Sequence, residues 1–237
     1  MSASTARLPR GRCSLRACSL FLLLAGATGC IPAVWNRAPD SAILPEQVTA
    51  LPPLVVVYTL DSSGERVARN DAADELMLRA QREVASVMNA IGGHVTPPEQ
   101  VGACGEPCLR FFRWGSIASL EIAAQRLEIR NYGSNSVADW VFPGDINLVR
   151  AALGSDLALL VVLKQTRQTS RYTVGKQIDV ACVADLRDGK MTWCSLVRDE
   201  KGDLAQREQI GAVIRRLLRP VIANARPAAA APVPASP

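Results

Sequence analysis

The sequence is poor in the residues that most enzyme chemistry needs. It contains one histidine, His94, in 237 residues. A lone histidine leaves little for a metal centre or an acid–base relay. The patterns G-x-S-x-G, H-E-x-x-H, the P-loop and G-x-G-x-x-G are all missing. Ser116 and Ser155 stand without an identifiable base. No cofactor and no metal are expected, and an enzyme is not. Lysine is scarce too, limited to Lys164, Lys176, Lys190 and Lys201. Much of the basic excess sits at the start, where Arg7, Arg10, Arg12 and Arg16 occur with no acidic residue before position 30. Removing those four from the formal +5 leaves +1 for the remainder. A near-neutral domain lacks the basic footprint of a nucleic-acid binder, so that partner is not expected.

What the amino terminus does have is a targeting pattern. The arginine stretch precedes the apolar run Leu20-Phe21-Leu22-Leu23-Leu24-Ala25. Small residues follow, as a signal peptidase requires. The run is far shorter than the roughly 20 residues that span a bilayer as a helix. Two cleavages compete. Ala25-Gly26-Ala27 fits the ordinary peptidase, which would leave a chain starting at Thr28. Leu24-Ala25-Gly26-Ala27-Thr28-Gly29-Cys30 resembles instead the bacterial lipobox, in which the cysteine is acylated. Cysteine parity favours the second. Of seven cysteines, Cys13 and Cys18 leave with the leader. If Cys30 carries lipid, an even four remain, Cys104, Cys108, Cys182 and Cys194. The lipobox resemblance implies a diacylglyceryl anchor on Cys30. Several acyl chains give stable membrane attachment where one gives marginal binding. In the Gram-negative systems it resembles, Ile31 after the lipidated cysteine points to the outer membrane, with the domain facing the periplasm.

Residues 1–29 therefore read as a lipoprotein signal peptide. Residues 30–53, with Pro32, Pro39, Pro45, Pro52 and Pro53, read as an extended tether. Residues 226–237 form an Ala/Pro tail expected to be disordered. Residues 54–225 remain for a single α/β domain.

Within it, strand and helix signals alternate. Leu54–Leu60 is a continuous run rich in β-branched residues, as in a strand covered on both faces. Asp71 is placed to cap a helix to about Ile91, with the stripe Leu76, Ala80, Val84, Val87, Met88 and Ile91. A short edge strand around His94–Thr96 follows. Residues 100–143 lack a clear period and read as an irregular insertion, leaning to helix across 116–130. Asp145 caps a helix closed by Gly154, and strands follow at Leu157–Val162, Gln177–Asp185 and Lys190–Arg198. A last helix spans about Leu204–Ala223, which Pro220 should bend or end early. The order is β-α-β-α-α-β-β-β-α, a mixed sheet of about four to five strands flanked by helices.

That order, with the segments 153–163 (LGSDLALLVVL) and 184–193 (ADLRDGKMTW), resembles a group of periplasmic lipoprotein domains. The group includes the amino-terminal domain of TolB, the curli secretion lipoprotein CsgG and the penicillin-binding-protein activator LpoB. The resemblance implies a cell-envelope protein that acts through protein contacts. It also implies a rival, an oligomeric secretion-channel subunit like CsgG. Such a subunit must contribute membrane strands of about 9–11 residues, and Leu127–Tyr132 is too short for one. An envelope hydrolase is the third reading. The oligomeric state is left open.

Three constellations remain. Cys182 and Cys194 flank the turn at Arg187-Asp188-Gly189. With Gly189 as a left-handed bulge after a type I turn, the two fall directly opposite and can form a cross-strand disulfide. Two buried free thiols are the alternative. Cys104 and Cys108, separated by three residues, suit a local disulfide in an oxidising compartment; zinc and a redox-active pair are the alternatives. Trp114, Trp140 and Phe142, with Phe111 and Phe112, are candidate anchors for a partner protein, or else a satellite core under the insertion.

Overall fold

The computed structural model describes residues 33–36, 43–132, 140–168, 176–199, 203–206 and 208–223. Two layers of helices enclose one mixed sheet. The strands are β1 (Ala33–Asn36), β2 (Val48–Ala50), β3 (Leu54–Leu60), β4 (Arg66–Ala68), β5 (His94–Val95), β6 (Leu157–Gln168), β7 (Lys176–Asp185) and β8 (Lys190–Asp199). The helices are α1 (Asn70–Ala90), α2 (Pro98–Cys104), α3 (Glu106–Tyr132), α4 (Ile146–Leu153) and α5 (Gln209–Ala223). Every element of the expected order is present. The sheet is larger than expected, eight strands running β1-β8-β7-β6-β2-β5, with β3 on β6 and β4 on β3.

The additional strands lie mainly in the segment expected as a tether. β1 pairs antiparallel with β8, and β2 pairs parallel with β5 and β6. Val48, Ala50 and Leu51 are buried. β2 and β3 are in effect one strand along β6, interrupted where the partner of Ala50 is Leu159 and that of Leu54 is Val162. Three residues thus oppose two, and the extra one falls at Pro52-Pro53. Prolines cannot donate to a ladder, and a bulge is where a sheet tolerates them.

Strand alternation divides the core. Leu159, Val161 and Leu163 face one side with Val55, Val57, Ala181 and Val183, under α1 and α5. Leu160, Val162, Val180 and Cys182 face the other, under α3 and α4. α1 presents the predicted stripe, with Leu76, Ala80, Val84, Val87 and Met88 buried. Asp71 is not its cap. The N-cap position is Arg69, and Asp71 sits in the first turn, ion-paired to Arg69 at 2.9 Å. α5 starts five residues later than expected and runs through Pro220 to Ala223. Leu217, Leu218 and Val221, all buried, hold its last turns on the sheet despite the missing N–H.

The expected irregular insertion at 100–143 is mostly helix. α2 and α3 cover the second face of the sheet, and α3 begins ten residues before the expected 116–130 and ends two residues after it. Its packing surface is Phe111, Gly115, Ala118, Ser119 and Ile122, spaced by three and four residues. A Cβ on Gly115 would stand 2.5 Å from Leu160 Cδ2, so any larger residue here would force the Leu160 side chain to shift.

Candidate functional site

Where β2 and β6 begin and β7 ends, the domain carries an open polar cleft of about 680 Å3. Glu46, Gln47, His94, Arg150, Asp156 and Arg187 are among its walls. The local sequence explains their placement. Asp145 accepts from Asn147 N at 3.0 Å and Gly154, at φ +64°, closes the helix, so α4 presents Arg150 on its last turn. Ser155 then ties the turn down. Its hydroxyl lies 3.0 Å from both Gln47 O and Leu157 O. The turn between β7 and β8 brings up Arg187, and Gly189, at φ +72°, donates its N–H to Asp185 O at 2.8 Å.

Each guanidinium in the cleft is held by a carboxylate. Arg150 Nε lies 2.7 Å from Asp156 Oδ1. Arg187 binds Asp185 through two nitrogens, with Nε–Oδ1 2.9 Å and Nη2–Oδ2 2.5 Å, and its backbone N–H adds a third contact at 2.9 Å. Burial pushes the Asp185 carboxyl up, but the Arg187 side chain and backbone N–H outweigh it and hold the carboxyl below the usual range. Hydrogen bonding and charge from Asp185 in turn raise Arg187. A guanidinium has five N–H donors, so both keep donors for an outside acceptor. The arrangement is charged, locally neutral and rich in directional donors. It suits polar contact with another surface. Among the described residues, no group of three His, Cys, Asp or Glu side chains is placed to hold a metal.

The disulfide candidates are placed as pairs. Cys182 and Cys194 are opposite each other on β7 and β8 and bonded, with Cα atoms 4.0 Å apart. The turn differs from the expected one. Asp185 pairs with Lys190 around a four-residue loop, and an irregularity between Val183 and Ala184 leaves Thr192 unpaired and restores the Cys182–Cys194 register. Cys104 and Cys108 are bonded across Gly105, joining α2 to α3, with Cα atoms 5.7 Å apart. Cys30 lies outside the described residues.

The aromatic candidates are not an exposed contact surface. Phe142 and Phe111 are buried, and Trp114 and Trp140 are half-buried and pack on the second core. Phe111, Trp114 and Phe142 form a ring cluster with centroids 5.3–5.7 Å apart. Their physical role is apolar: they fill the space between α3, the 140–142 segment and the sheet. His94 is exposed on the edge strand β5, as expected. Ser116 is buried in α3.

Sequence reasoning missed two features. One is the pairing of Arg150 with Asp156 and Arg187 with Asp185, for which close spacing was the available signal. The other is a buried polar cluster at the far end of the sheet beneath α5. There Gln165, Gln177 and Asp179 have inward positions on β6 and β7. Gln165 donates to Asp203 at 3.1 Å and Arg167 does likewise, while Gln177 donates to Asp179. Burial raises the Asp203 carboxyl, and the Ala205 N–H, Gln165 and Arg167 together bring it below its usual value.

No family model and no curated protein sequence matches the chain. Among solved structures, the chain is similar to the PelC dodecamer from Paraburkholderia phytofirmans at 10% identity, with 83% of this chain and 99% of that one covered and a TM-score of 0.38. Lipoprotein GNA1162 from Neisseria meningitidis is 14% identical over 77% of this chain and 100% of that one, with a TM-score of 0.32. The LpoB C-terminal domain from Salmonella enterica is 10% identical over 69% and 89%, at 0.31. Likenesses at this level bear on neither activity nor partner.

Proposed function

We propose that the chain is a lipid-anchored protein of the bacterial cell envelope that works by binding another envelope protein, not by catalysis. The observation that supports this most is the cysteine pairing. Cys104 with Cys108 and Cys182 with Cys194 use all four cysteines of the folded domain, and cleavage before Cys30 leaves that residue as the one thiol for acylation. No described helix is long and apolar enough to cross a membrane. An outer-membrane position with the domain in the periplasm follows from Ile31. The binding surface is the Arg150/Arg187 cleft, in place of the aromatic cluster.

The test is direct. Labelled palmitate should enter the expressed chain and be lost from Cys30→Ser, which should fractionate as a soluble protein. Incorporation into Cys30→Ser, or a mature chain beginning at Thr28, would defeat the reading. A channel subunit has less support, because β6, β7 and β8 have buried side chains on both faces, under α1 and α5 on one side and α3 and α4 on the other.

A further inference from the structure

We infer that the anchored chain is mounted with the β1–β8 edge of its sheet toward the bilayer and the Arg150/Arg187 cleft turned away from it. This rests on the lipid-anchor reading and adds an orientation to it. β1 lies antiparallel on β8, with Ala33 opposite Leu196 and Asn36 opposite Trp193. Only Ile31 and Pro32 separate Cys30 from that strand. Three residue steps reach at most about 10 Å. An acylated Cys30 at the interface therefore keeps the β1–β8 edge within about that distance of the headgroups. The lead of residues 30–53, had it been a flexible coil, would have allowed a root-mean-square reach of about 25 Å in any orientation.

The sheet order fixes where the cleft then lies. β2 and β5, beside its walls Gln47 and His94, stand four and five strands from β1. At about 4.8 Å per strand, that is about 20–24 Å across the sheet. The cleft is displaced along the strands as well. Leu196, opposite Ala33, lies six residues from Lys190, where the turn bearing Arg187 ends, which adds about 20 Å. The Gln47–His94 wall is displaced from the attachment point in both directions, and the Arg187 wall, between β7 and β8, along the strands. A partner reaching it approaches from the aqueous side.

The test uses the acylated full chain in phosphatidylethanolamine–phosphatidylglycerol vesicles that carry a headgroup-linked quencher. Cys30 is blocked by lipid and the domain's other cysteines are bonded, so an introduced cysteine is the reactive thiol for a fluorophore. One label goes on Arg198→Cys, two residues from the partner of Ala33, and another on Glu46→Cys at the cleft rim. Quenching should be severalfold stronger at position 198. A flexible Gly-Ser insertion of about 20 residues after Pro32 should make both signals weak and equal. Val34→Pro with Trp35→Pro, which breaks the β1 ladder, should do the same. The insertion leaves every domain residue in place, so it decides the matter even where the proline variant fails to fold. Equal quenching of the two labels in the unaltered chain overturns the orientation while the anchor stands. Failure of the chain to float with vesicles overturns both.

Discussion

At the scale of single residues, Asp185 makes the sharpest prediction. Its carboxylate is mostly buried and accepts from three nitrogens of Arg187, the backbone N, Nε and Nη2. Its folded value lies below the ordinary carboxylate range. A carboxyl whose folded value is depressed stabilises the fold above its unfolded value and loses that contribution as pH falls through the folded one. Asp185→Asn should therefore be less stable than the parent at pH 7. The difference should shrink as pH drops below the ordinary carboxylate range and through the depressed folded value, because the parent then loses the same charge. Denaturant midpoints at neutral and acid pH measure this, and a gap independent of pH would refute it. The same scale shows what could be read in the chain. Strand alternation around one turn placed Cys182 opposite Cys194. The loop chemistry was wrong in detail, since a four-residue turn and an irregularity beyond it give the same register.

Among the elements, α3 was the least legible. Its packed face mixes Phe111 and Ile122 with Gly115, Ser116 and Ser119, and small or hydroxyl residues dilute the apolar stripe on which a helical reading depends. The structure shows why they are there. Gly115 allows close approach to Leu160, and Ser119 donates to Gly115 O at 2.7 Å. β1 and β2 were missed for a different reason. They are strands of four and three residues among prolines, and their pairing is decided by partners 45 to about 160 residues away. The aromatic cluster illustrates the consequence for function. In the sequence, Phe142 reads either as a partner anchor, whose loss would leave stability unchanged, or as part of a satellite core. It is buried against Phe111 and Trp114, so Phe142→Ala should cost about 3–5 kcal/mol. A thermal or denaturant midpoint equal to that of the parent would restore the contact-surface reading.

For the molecule as a whole, the compartment and the covalent framework are one question. The two disulfides close segments of unequal length, with sequence separations of 12 for Cys182–Cys194 and 4 for Cys104–Cys108. In the chain-entropy account, a cross-link stabilises by restricting the unfolded ensemble, and longer loops gain more. That gives about 3 kcal/mol for the β7–β8 bridge and about 2 kcal/mol for the α2–α3 bridge. Their folded-state settings reinforce the order. The first bridge joins two buried residues at the centre of the sheet, whereas the second has one half-buried sulfur at a helix junction. Cys182→Ala with Cys194→Ala should thus lower the unfolding free energy more than Cys104→Ala with Cys108→Ala, measured on chains purified from the envelope. Adding reductant to the parent should reproduce the combined loss only after unfolding exposes the buried pair. Rapid reduction of Cys182–Cys194 in the native state, or a larger loss from the α2–α3 bridge, would mean that the β7–β8 bridge is not what holds the central hairpin in the envelope.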